Sequence, residues 1–121
     1  MSLIEETIHA RLIQSATLSG LLGNRVHPLV LPEKATLPAV TYQRVSTIPT
    51  VQLDGSTAFL QARFQFRSWS RSFAEAKVIA SGIRSTFSGT GDMYESGSID
   101  LYDPDSRLYS EVVDYFFVTA A

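Results

Sequence analysis

The chain has 121 residues with ten basic and twelve acidic side chains, a net charge of −2, 45% apolar and 18% charged residues, and no cysteine. That suits one domain around one hydrophobic core and excludes disorder, a disulfide framework and thiolate metal sites. With no basic run or arginine-rich stripe, it also argues against sequence-specific nucleic acid as a partner.

"SLIEETIHARLIQSA" opens with a capping-box pattern, Ser2 followed by Glu5, and places Ile4, Ile8 and Leu12 on one stripe of an amphipathic helix. "TLSGLLG" predicts a short turn of helix capped by Thr17 and stopped at Gly23. Prolines 28, 32 and 38 punctuate the next stretch, so Arg25–Leu31 is an edge strand or an extended loop. "AVTYQRV" is a strand. "STIPTVQLDGST", residues 46–57, is then expected as a long connecting arm. It carries Ile48, Val51 and Leu53 where a loop is ordinarily polar, and it must project beyond the sheet.

From Ala58 to Trp69 the pattern alternates: Leu60, Ala62, Phe64 and Phe66 point one way, Gln61, Arg63 and Gln65 the other. "SFAEAKVIASGIRSTFSG" is a second amphipathic helix, boxed by Ser72 and Glu75 and ended near Gly89, with Gly82 marking a close packing contact. Phe64 and Phe66 are expected to face its Ile79, Ile83 and Phe87. "GTGDMYESG" is assigned to a loop, "SIDLYD" to a strand, "DPDSR" to a turn and "LYSEVVDYFFVT" to a last strand. The last strand is apolar on both faces and so is central or covered on both sides. The order predicts an α+β fold: a mainly antiparallel or mixed sheet of four to five strands with two helices packed on one face, as a single domain over residues 1–121.

No catalytic constellation is visible, and the expectation is a non-enzyme without cofactor. His9 sits at the edge of the first apolar stripe, and His27 has no second ligand at metal spacing. Asp100, Asp103 and Asp105, with Glu111 on the return strand, superficially suggest a calcium loop. They lack its glycine and third oxygen ligand and are assigned to a hairpin turn. Arg67, Trp69 and Arg71 resemble a stacking and phosphate-binding patch; the preferred assignment packs Trp69 under the incoming helix with the arginines in solvent. The apolar stretches fall short of a membrane span and the N-terminus lacks a signal-peptide pattern, so a soluble protein made in the cytoplasm is expected.

Three stretches in collinear order carry a resemblance: "LLGNRVHPLVLPEKATLPAVTYQRVS" with the following "LDG", then "FQFRSWS" before "SFAEAKVIASGIRSTF", and the closing "DLYDPDSRLYSEVVDYFFV". From about Ile4 to Val118 the chain resembles the tail-completion, tail-terminator-like family of long-tailed bacteriophages and prophages. Glu111 departs from the apolar pattern of that last strand, which leaves the strand's facing open. The resemblance implies a non-enzymatic virion protein at the head–tail joint, made in the bacterial host cytoplasm. It would form a ring, typically hexameric, that caps the head-proximal end of the tail tube and stops its polymerisation. Its partners would be further copies of itself, the tail tube protein and the head connector. The arm then becomes an interface, through Ile48, Pro49, Val51, Leu53 and Asp54. Two other readings stay open: a small intracellular binding module with the 46–57 arm over its binding surface, and a metal-assisted hydrolase built on Asp100, Asp103 and Asp105.

Overall fold

A computed structural model describes residues 3–120. Three helices, α1 (Ile4–Gln14), α2 (Ala16–Leu22) and α3 (Phe73–Phe87), accompany five strands: β1 (Val26–Pro28), β2 (Ala39–Val51), β3 (Thr57–Trp69), β4 (Met93–Asp103) and β5 (Leu108–Ala120). The sheet is mixed, in the order β1-β2-β3-β5-β4, with β1 parallel to β2 and the other pairs antiparallel. This is the expected α+β class; the short turn of helix expected before Gly23 is α2, a third helix beside the two that were counted. β3 and β4 run parallel but are not neighbours, because β5 inserts between them.

Local chemistry explains the helix ends. Glu6 accepts a hydrogen bond from the Leu3 amide at 3.3 Å, while Glu5 pairs with Arg44 of β2 instead of reaching back along the helix. The predicted Ser2 cap lies outside the described residues. Ser15, not Thr17, caps α2: its hydroxyl accepts from the Leu18 amide at 3.3 Å, and Gly23 ends the helix at φ 61°. Ser72 caps α3 by accepting from the Glu75 amide, but Glu75 itself takes a hydrogen bond from Ser70. Gly89 follows α3 at φ 76°.

All three helices lie on one face of the sheet. Ile8 and Leu12 of α1, Leu18 and Leu22 of α2, and Ile79, Ile83 and Phe87 of α3 bury against Val40, Tyr42, Phe64, Phe66 and Val113. Phe66 sits at the centre, with ring centroids 4.9 Å from Phe87 and 5.8 Å from Tyr115. Burial there pushes the Tyr115 phenol up to about 12. A Cβ on Gly82 would lie 2.7 Å from Leu18 Cδ2, so the glycine is what lets α3 approach α2.

Two expected boundaries are corrected, both at bulges. The register slips at Val45, between the pairs Arg44↔Phe64 and Ser46↔Arg63, after which β2 continues pairing out to Val51↔Thr57. The 46–57 segment is therefore the outer part of a hairpin, not a loop projecting beyond the sheet; only Gln52–Ser56 forms its turn. Pro49 is tolerated because β1 covers β2 only at Val40–Tyr42, which leaves the rest of that side unpaired. A second slip, between Glu95 and Gly97, hides the start of β4, which begins at Met93 rather than Ser98. Each bulge adds one residue and reverses the alternation on which a strand reading depends.

Phe64 is fully buried. Phe64→Ala should cost about 3–5 kcal/mol of stability, measured by urea unfolding with an unchanged dependence on urea concentration.

Candidate functional site

With the helices on one face, the side chains of β3 that alternate with Phe64 and Phe66 stand on the other, uncovered face. Trp69 is among them. It does not pack under α3, as the sequence reading preferred; its indole Nε1 donates to Thr41 Oγ1 at 2.9 Å across the open face. Arg67 lies over the same ring, 3.9 Å from its centroid. Together with Gln65, Leu101 and Val112 they line a groove of about 320 Å³. Arg67 makes no ion pair among the described residues, and its buried Nε has no hydrogen-bond partner. Burial draws its pKa down, partly offset by the charge of Asp103.

The second feature is the hairpin. Ile48 is 54%, Val51 62% and Phe59 51% exposed, and Leu53 stands fully in solvent at the tip. Ile48, Pro49 and Val51 lie on the outer edge of β2, whereas Leu53 and Asp54 belong to the turn. Asp54 stabilises that turn, its Oδ1 accepting from the Ser56 hydroxyl at 2.6 Å and the Ser56 amide at 2.9 Å, and these bonds hold its carboxyl below the usual range. At the far edge β4 is also open, with Tyr94, Ile99, Leu101 and Tyr102 exposed. The structure thus places all five predicted interface residues on one exposed hairpin.

The acidic cluster is dispersed. Asp103 accepts from the Asp105 amide at 3.1 Å and the Ser106 hydroxyl at 3.0 Å, which makes it a turn residue. Asp100 pairs with Lys77 of α3 at 2.8 Å. Glu111 points to the helical face, where its side chain is 2% exposed beneath Lys77 at 2.9 Å and Arg84 at 2.5 Å. That fixes the facing left open for the last strand: Glu111, Val113, Tyr115 and Phe117 share the core side. Among the described residues no cluster of three or more metal-binding side chains occurs. His9 packs beside Tyr42, its Nδ1 3.1 Å from the phenol oxygen. Among the described residues no helix is long and apolar enough to cross a membrane.

A family model described as "Tail completion protein gp17" matches residues 6–120. The chain belongs to this tail-completion family. It is thereby a phage tail-assembly protein of the virion tail. A comparison with curated proteins returned no match. Among solved structures, a chain from "Virion of native gene transfer agent (GTA) particle" is similar, with a TM-score of 0.83 at 12% identity, covering 98% of this chain and 95% of that one. At that identity the likeness is one of fold, and it spans nearly the whole of this tail-completion chain.

The Glu111 pairing gives the fold of this family member a pH dependence. Burial raises the Glu111 pKa, but Lys77 and Arg84 outweigh it and the net shift is downward. A folded pKa below the unfolded one contributes stability above the unfolded value of about 4.5, lost as pH falls through the folded pKa. Glu111→Gln should therefore lower stability by about 1–3 kcal/mol at pH 7. The gap from the wild type should close as the pH is taken below 4 in parallel denaturation series, about the lower end of the carboxylate range.

Proposed function

We propose that the chain closes the head-proximal end of the tail tube as a homo-oligomeric ring, hexameric in the resemblance noted above. In doing so it stops tube polymerisation, forms part of the head–tail joint and catalyses no reaction. The observation that carries this reading is the exposed hairpin of a tail-completion protein. Ile48, Val51, Leu53 and Phe59 each stand exposed on this one hairpin in the isolated chain, and apolar side chains gathered on one exposed element mark contacts with other proteins.

Burying each of these side chains contributes about 1.5–3 kcal/mol, enough in combination to offset part of the ordering and association cost. The contact is heterologous, with the hairpin of one copy against a different surface of the next, and a heterologous contact that closes makes a ring. Pro49 fits this use. It removes one backbone donor from the sequence of the open β2 edge and so discourages indiscriminate strand addition. The tail tube protein and the head connector would meet the two rims of the ring. The similar fold found in a gene transfer agent virion supports a place within an assembled particle.

Ile48→Asp combined with Leu53→Asp should leave a folded monomer that neither forms rings nor completes tails, as read by native mass and electron microscopy of tails. Unfolding of this variant would place the hairpin in the core, and normal tail completion would remove it from the interface.

A further inference from the structure

The groove on the open face is built around a guanidinium that makes no ion pair among the described residues. Arg67 is stacked on Trp69, Trp69 is pinned by Thr41, and the Arg67 Nε is buried without an acceptor. The charge of Asp103 reaches Arg67, but the two make no ion pair among the described residues. A half-buried guanidinium in this state favours a carboxylate that brings its own apolar surroundings, because a charge taken out of water is costly until paired. The groove rim offers those surroundings in Ile99 and Leu101, both exposed.

Such an acid stands at the hairpin tip. Asp54 is the sole charged residue in 46–57, and Val51 and Leu53 beside it are exposed apolar side chains. The two sites cannot meet within one chain. Gln43, at the groove, and Leu53, at the tip, are joined by β2, and at about 3.3 Å per residue the strand holds them about 30 Å apart. A globular chain of this length has a radius of gyration of about 14 Å, hence a diameter of about 35 Å. The tip is therefore displaced from its own groove by about one subunit width, which is the offset that reaches the same groove on a neighbouring copy.

We propose that the hairpin tip of each subunit docks in the open-face groove of the next, with Asp54 paired to Arg67 and Leu53 set against Ile99 and Leu101. This rests on the ring reading above and names the two surfaces that meet. The contact is head-to-tail, with each copy giving a tip and receiving one, so a closed ring satisfies every Arg67 and covers every Leu53.

Charge exchange tests it. Asp54→Arg and Arg67→Asp should each weaken ring formation at least tenfold by native mass and sedimentation, and the two together should restore it. Arg67→Gln, which keeps a polar side chain over Trp69, should weaken it in the same direction with unchanged circular dichroism. Because the chain has no cysteine, Leu53→Cys with Leu101→Cys should give a ladder of covalent multimers on oxidation, where each single variant gives dimers at most. Rings unaffected by the single charge reversals, or not restored by the pair, overturn the contact and leave the ring reading standing. A wild-type chain that stays monomeric at every concentration and on purified tail tubes overturns both. Binding of a single-stranded oligonucleotide that Arg67→Asp abolishes while rings persist assigns the groove to phosphate and overturns the contact as well.

Discussion

Phe66 lies between Phe87 and Tyr115, and this aromatic contact ties the middle of the sheet to α3. Once β3 turns Phe64 and Phe66 toward the helices, the period of two sends Arg63, Gln65, Arg67 and Trp69 to the opposite side. The helices of a chain this short cover one face only. The open face is left to water or to a partner by that one-sided cover, and the outer edge of β2 by the shortness of β1, which pairs only at Val40–Tyr42.

The two faces treat charge differently. On the helical side Glu111 is buried but paired with Lys77 and Arg84, so its charge is answered within the chain. On the open side Arg67 is partly desolvated, makes no ion pair among the described residues and is offset only by the nearby charge of Asp103. Removing a charge from water without pairing it opposes folding. In the proposed ring that cost is relieved when the acid of a neighbouring copy arrives. The apolar hairpin follows the same logic, with Ile48 and Val51 more than half exposed and Leu53 fully so in the free chain.

The helices and the core were legible in the sequence because their signals are local. Ile4, Ile8 and Leu12 recur at helical spacing, Ser72 sits where a cap belongs, and Phe64 and Phe66 alternate without interruption. The strand ends were not legible, because the bulges at Val45 and between Glu95 and Gly97 insert one residue each and break the alternation. Residues 46–51 and 93–97 thus had the pattern of loops while holding ladder hydrogen bonds. Glu111 was ambiguous because its cations come from α3, far along the chain. Trp69 was placed on the wrong side although the signal was present: it shares parity with Arg67 and Gln65, not with Phe66. The apolar character of Ile48, Val51 and Leu53 was readable; the open-face groove was not, since its walls come from β2, β3, β4 and β5.

The central claim is that the outer hairpin is open in the free chain and covered in the assembled tail. Amide hydrogen exchange of residues 46–57, followed in the isolated protein and in purified tails, tests it most directly. The account predicts marked slowing across this segment on assembly, with the α3 amides already protected in both states. Equal exchange of the hairpin in free protein and in tails would contradict it.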